Sequence, residues 1–307
     1  MPLLTCPPRQ TRQRPRLSLK ALWVLASLLC AASGASAGGE TIAVLSSGGS
    51  AYMEAFTAFQ AAHGAEVRHY DASKGKPGVP PGTRTVVAFG TRAASQSYPA
   101  WVNVVYCMTP GVVLDPQGRE GRTVRISVLP GFGLILAKLK ELQPSLKRLR
   151  VFWMMQDFAP YVESAKTLGE EFDITVTPVK ADGIAQLPGL LRRGMGEMDA
   201  FWLPPDPFLI TNESLTILRD FSWANAIPFY APTKGLTREG AAAAVGVSFA
   251  DMGAAAAAAV KDLEAGGTPA PVIFPGKVEL TLSAAAAKKF RLEFQPEALL
   301  RAGNLLP

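Results

Sequence analysis

The sequence predicts an α/β protein made of two doubly wound parallel-sheet lobes, with a ligand cleft where their strand tips face each other. Three observations predict it. Short aliphatic or β-branched runs alternate with helical patterns from Thr41 to Tyr230, in units of roughly 25 residues, as βα repeats require. Most runs are apolar throughout, as strands covered on both faces are. Several end in Gly, Ser, Asp or Pro, the residues that turn a strand into the next helix.

In order, Thr41–Leu45 is a first strand, and Ser46-Ser47-Gly48-Gly49-Ser50 turns it into a helix carrying Met53, Phe56 and Phe59. Gly64 ends that helix. Glu66–Tyr70, Thr85–Phe89 and Val102–Tyr106 are the next strands, with a Pro- and Gly-rich loop from Lys74 to Gly82. Thr123–Leu129 is extended, and Ile135, Leu139 and Leu142 mark a helix that Pro144 stops. Then the unit repeats. Leu149–Met155 and Phe172–Val176 are strands, and helices over Pro160–Leu168 and Ile184–Arg193 are closed by Gly169 and Gly194. Ala200–Leu203 and Ile227–Tyr230 are strands. Ala241–Phe249 is another, before an Ala-rich helix, Met252–Glu264, with Asp251 as its cap. Pro269–Pro275 reads as a linker and Lys277–Leu282 as a last strand, followed by two helical pieces, one at Ala284–Lys289 and one after Pro296.

The first 37 residues read as a cleavable export signal. Arg9, Arg12, Arg14, Arg16 and Lys20 precede an apolar Ala21–Leu29 segment too short to span a bilayer, and Ala35-Ser36-Ala37 is a cleavage site. A lipid anchor on Cys30 is the lesser alternative, because the preceding Leu29 is bulky. The whole chain has 31 basic and 25 acidic residues. Five of the basic residues lie in the leader, so the mature chain is left at 26 against 25, a net charge of about +1. Such a chain has no electrostatic footprint for nucleic acid. Cys107 remains alone, so no internal disulfide forms and the core must suffice. The expected product is a periplasmic monomer.

Enzyme chemistry finds little support. There are two histidines, His63 and His69, and no His, Cys, Asp or Glu spacing suits a metal. The one G-x-S-x-G match, Gly34-Ala35-Ser36-Ala37-Gly38, straddles the expected cleavage site and follows no strand, so it is no nucleophile elbow, and no Walker-type loop is present. The expectation is therefore no catalysis and no cofactor. Binding fits better. The strand tips offer Ser46, Ser47, Gly90, Thr91 and Tyr106 in the first half, then Gln156, Asp157, Asp206 and Tyr230 in the second. Hydroxyl and N–H donors with acids suit a small amino acid-like zwitterion. Asp206 stands out: Ala200–Leu203 runs into Pro204-Pro205, which holds the acid at a strand end, before a helical pattern through Leu209, Leu215 and Leu218. A plain helix cap accounts for Asp206 equally well. Asp157 also reads as a cap, and Ser46–Ser50 as a tight turn.

The segments I-A-V-L-S-S-G-G-S, T-V-V-A-F-G-T-R-A-A-S-Q, L-K-E-L-Q-P-S-L-K-R-L-R-V-F-W, M-D-A-F-W-L-P-P-D-P, I-P-F-Y-A-P and A-A-A-V-G-V-S-F-A-D-M-G-A-A-A-A carry a resemblance. In order and spacing the chain resembles the periplasmic substrate-binding proteins of ABC importers, in the uncharacterised-transport branch that includes tryptophan- and tyrosine-type binders. The resemblance implies a type I periplasmic-binding fold with three crossing segments near Arg125, Ala244 and Phe274. The lobes would be 38–125 plus 245–272, and 126–244 plus 273–307. It implies that Gly90-Thr91 receives the ligand's carboxylate, that Asp206 receives its ammonium, and that an ABC permease is the partner. An exported sensor component is the alternative. Relatives usually have an aliphatic strand and D-P-V near Val102–Leu114. Here the stretch reads V-N-V-V-Y-C-M-T-P-G-V-V-L-D-P, so ligand identity does not carry over.

Overall fold

A computed structural model describes residues 40–294 and 303–306. The export signal lies outside the described residues.

One sheet holds β1 (Glu40–Leu45), β2 (Arg68–Asp71), β3 (Thr83–Phe89), β4 (Asn103–Cys107), β5 (Thr123–Ile126) and β11 (Val272–Ile273). Its order is β11-β5-β4-β3-β1-β2, and every pair is parallel. Side chains alternate between its faces. Ile42 and Val44 join one buried cluster, while Ala43 and Leu45 join the other. Each face is covered, which is why these strands read as unbroken apolar runs. The helices α1 (Ser50–His63) and α8 (Phe249–Glu264) lie together against one face, through Phe56, Phe59, Met252 and Val260.

The second sheet holds β6 (Arg148–Trp153), β7 (Thr175–Lys180), β8 (Ala200–Trp202), β9 (Phe229–Ala231), β10 (Ala243–Gly246), β12 (Glu279–Ser283) and β13 (Asn304–Leu306), in the order β13-β12-β10-β9-β8-β6-β7. Only β12 against β10 is antiparallel among the described pairs of this sheet. Leu149, Val151, Trp202 and Val245 pack on one face with α3 (Phe132–Leu142) and α4 (Ala159–Glu171). Phe152, Phe201 and Phe229 pack on the other with α5 (Leu187–Arg193), α6 (Asn212–Asn225) and the short α7 (Gly235–Arg238). Three stretches pass between the sheets: 127–131 after β5, 247–248 after β10, and 274–278 after β11.

Several element boundaries differ from the sequence expectation. The Thr123–Leu129 strand stops at Ile126; the Ser127 N–H still donates to the Ile273 carbonyl at 2.8 Å, and the chain then leaves the first sheet. Helix α4 runs through Gly169 to Glu171, and the strand begins at Thr175 rather than Phe172. Gly169 serves proximity instead of termination: a Cβ there would lie 2.3 Å from the Ile174 carbonyl oxygen. Helix α8 is capped by Ser248, whose hydroxyl accepts the Asp251 N–H at 3.0 Å and donates to the Asp251 carboxylate at 2.6 Å. Asp251 is thus the third residue of the helix, held by the cap, and not the cap itself. The terminal helical piece expected after Pro296 falls mainly outside the described residues, and its described end, Asn304–Leu306, is a strand.

Cys107 closes β4 and is fully buried, and burial pushes its thiol well above the usual range. Reactivity needs an accessible thiolate. The native protein is therefore expected to leave Cys107 unlabelled by a maleimide over hours, with stoichiometric labelling in denaturant. Rapid native labelling would contradict this packing.

Candidate functional site

The carboxyl ends of the parallel strands converge on a cavity of ≈ 370 Å³ lined from both sheets' sides. Met108 and Pro110 follow β4, and Ala51 and Tyr52 open α1 after β1. Facing them, Pro205 follows β8, and Pro232, Thr233 and Lys234 follow β9. Gly246, Val247 and Ser248 form part of the wall where the chain crosses between lobes, and Glu279 and Thr281 contribute from β12. The site is where an open α/β sheet presents its ligand crevice.

Most of the lining is apolar: Tyr52, Met108, Val128, Phe249, Met252 and the prolines. Two charged groups break it. Lys234 Nζ lies 3.5 Å from Glu279 Oε1, and both side chains keep some solvent contact. Met108 adopts a positive φ of 58° at the cleft edge, an uncommon state for a non-glycine residue. A second, much smaller cavity of ≈ 60 Å³ sits at the crossing segments, lined by Arg125, Ser127, Asp157 and Phe274 among others.

The structure corrects the sequence reading of Asp206. This side chain is 0% exposed. Its Oδ2 accepts the backbone N–H groups of Met154 and Met155, both at 2.7 Å. Its Oδ1 accepts those of Phe208 at 2.9 Å and Leu209 at 3.3 Å. A carboxylate offers about four lone-pair sites, so all are occupied and none faces a ligand ammonium. Nor does Asp206 start the following helix directly: α6 begins at Asn212 under a Thr211–Ser214 capping box. Asp206 instead ties the exit of β8 to the exit of β6. The loop it holds reaches the first lobe, since a side chain at Gly111 would collide with Met155 Sδ.

Tyr106 and Tyr230 are corrected too. Both are buried inside their own lobes. The Tyr106 hydroxyl accepts the Leu114 N–H at 3.2 Å, and that of Tyr230 donates to Gln143 Oε1 at 2.9 Å. Side chains of a strand project above and below the sheet, into the helices, and not off its end. At β4 and β9 the cleft is lined by the residues just past the strand: Met108 after Cys107, and Pro232–Lys234 after Ala231.

The remaining expected residues are spread along the same edge. Ser46 is buried and its hydroxyl accepts the Ala93 N–H at 3.0 Å. The Gly90 N–H donates to the Cys107 carbonyl at 2.8 Å and is taken. Gly90 has φ 92°, and a Cβ there would lie 2.5 Å from the Tyr52 ring and 2.6 Å from Ser46 Oγ. Its bare backbone makes room for Tyr52, which does line the cleft. Thr91 is exposed at the start of a helical turn, α2 (Thr91–Ala94). The Ser47 hydroxyl accepts the Gly49 N–H at 3.3 Å. Gln156 is exposed and accepts from Lys180 at 3.0 Å, while Asp157 borders the smaller cavity. None of the nine lines the cavity of ≈ 370 Å³ between the lobes. The signal missed was P-T-K directly after the I-P-F-Y-A strand, where a lysine follows a strand stop.

A family described as ABC transporter substrate binding protein matches residues 136–305. No curated protein sequence is detectably similar to the chain. Among solved structures, the ligand-free, open form of CD0873, a substrate binding protein with adhesive properties from Clostridium difficile, superposes with a TM-score of 0.63 at 15% identity, over 87% of this chain and 99% of that one. The ABC domain in complex with L-Trp from Streptococcus pneumonia gives 0.57 at 17% identity, over 87% and 100%. A conserved domain protein from Vibrio cholerae gives 0.57 at 14% identity, over 87% and 99%. At these identities the likeness is one of fold, that of the type I periplasmic-binding proteins.

Proposed function

Because the chain belongs to the ABC transporter substrate-binding protein family, we propose that it holds a small zwitterion with an apolar body in the interlobe cleft, outside the cytoplasm, and delivers it to an ABC permease. The observation that carries this reading is the Lys234–Glu279 pair set in an otherwise apolar cavity. Lys234 takes the ligand's carboxylate and Glu279 its ammonium, as charge-assisted hydrogen bonds. The role first given to Asp206 thereby passes to Glu279. Tyr52, Phe249, Met108 and Met252 cover the apolar body, and a few polar groups in an apolar pocket set orientation. Ser47, Thr91 and Asp157 keep a place in the proposal as accessible groups on the cleft edge. The two lobes, joined by three crossings, close on the ligand as a hinged clamp.

No helix among the described residues is long and apolar enough to cross a membrane, and no group of acidic, His and Cys side chains among them suits a metal ion. Calorimetric titration with L-amino acids of bulky apolar side chain is the test. Lys234→Met and Glu279→Gln are each expected to weaken binding about tenfold or more, since a hydrogen bond to a charged group contributes about 1.5–3 kcal/mol. Binding of no amino acid by the native protein, or unchanged affinity in both variants, would overturn the reading.

A further inference from the structure

The floor of the cleft holds a hydroxyl that nothing among the described residues satisfies. Thr281 lines the cavity from β12 and is 1% exposed. Its Oγ1 has no hydrogen-bond partner among the described residues. Strand alternation puts Thr281 on the same face as Glu279, with Leu280 and Leu282 turned into the core on the other side. Because β12 runs antiparallel to β10, Glu279 pairs with Gly246 at the strand tip, and Thr281 pairs with Ala244 further in. The cavity therefore has a charged mouth at Lys234 and Glu279 and a polar floor at Thr281. Two residues along a strand separate them by roughly 7 Å.

A buried hydroxyl without a partner is costly to the protein, so a native structure that retains one calls for a reason. We propose that Thr281 is a specificity-determining residue, whose hydroxyl bonds a hydrogen-bonding group on the ligand's body about 7 Å from its charged head. The inference rests on the proposed zwitterion binding. It adds the substrate class: ligands with a polar end are preferred to their wholly apolar isosteres. The physical reason is asymmetric. A site built around a polar group rejects an analogue lacking it, because the protein's own group is then left unpaired in a dry pocket.

The experiment is calorimetric titration of matched pairs on the full mature chain: L-glutamine against L-leucine, and L-tyrosine against L-phenylalanine. The polar member of at least one pair is expected to bind wild type about tenfold tighter or more. In Thr281→Val that preference should fall below about threefold, through loss of the polar member and retention or gain of the apolar one. Thr281→Ser should keep the preference. Thermal unfolding of ligand-free Thr281→Val gives an independent readout. Replacing an unpartnered hydroxyl by a methyl group should leave the midpoint unchanged or raise it. If amino acids bind but no pair is discriminated, or if Thr281→Val discriminates like wild type, the inference falls and the zwitterion reading stands. A clear loss of ligand-free stability in Thr281→Val would also overturn it, by revealing a structural role. If no member of any pair binds, both readings fall together.

Discussion

Asp206→Ala is expected to destabilise the second lobe by about 4 kcal/mol or more, read as a lowered urea midpoint. Four buried backbone donors, on Met154, Met155, Phe208 and Leu209, converge on this one carboxylate. Leaving a single buried donor unsatisfied costs about 1–3 kcal/mol, and a typical domain has only about 5–15 kcal/mol in total. Water could reach some of the released N–H groups, which is why the expected loss is set near the bottom of the range for four. Asp206→Asn should lose less, about 2–4 kcal/mol, because its single carbonyl oxygen still serves one pair of donors while its amide NH2 faces the other pair. The contrary result is informative. A variant with a wild-type midpoint and a hundredfold loss of ligand affinity would return Asp206 to the binding site and remove it from the scaffold.

Gly253→Ala is expected to destabilise the first lobe by about 2 kcal/mol or more, although it replaces glycine by the best helix former. On propensity alone the change should stabilise α8 by about 1 kcal/mol. Packing opposes it. A Cβ on Gly253 would lie 2.0 Å from the Ala55 carbonyl oxygen and 3.0 Å from the Phe59 backbone nitrogen. Those are backbone atoms inside α1, so no rotamer change relieves the clash, and the two helices must separate. Overpacking of this kind costs about 1–3 kcal/mol, occasionally more. It also strips contacts from Phe56, Phe59, Met252 and Val260 beneath the pair. Val at the same position should be worse than Ala. A thermal midpoint equal to or above wild type for Gly253→Ala would show that the helices are not in backbone contact.

Much of the architecture was legible because it rests on local pattern. The apolar runs at Ile42–Leu45, Val86–Phe89 and Phe201–Leu203 are central strands of two covered sheets. Gly64 ends α1 in a left-handed conformation, as expected of a glycine after a helical pattern. Gly169 shows the limit of the same reasoning. The residue type is right for a helix end, yet here it admits a neighbouring carbonyl oxygen, and only the third dimension distinguishes those uses. Ser248 and Asp251 show another limit. Both are good caps, and the winner depends on where the chain leaves β10.

What the sequence by itself determined is the α/β class, the alternation that covers each sheet on two faces, and the strand ends that supply the cleft. These follow from side-chain hydrophobicity and turn chemistry acting within some 25 residues. Only the tertiary structure decided which polar groups face that cleft. Asp206 faces no ligand because the N–H groups of Met154 and Met155, just past β6 and about fifty residues away in the chain, complete its set of donors. Glu279 and Thr281 reach the cleft because a crossing connection lays the antiparallel β12 beside β10, and Lys234 reaches it from the end of β9. Whether a polar group serves the scaffold or a ligand depends on its other hydrogen-bond partners, and those come from segments distant in sequence.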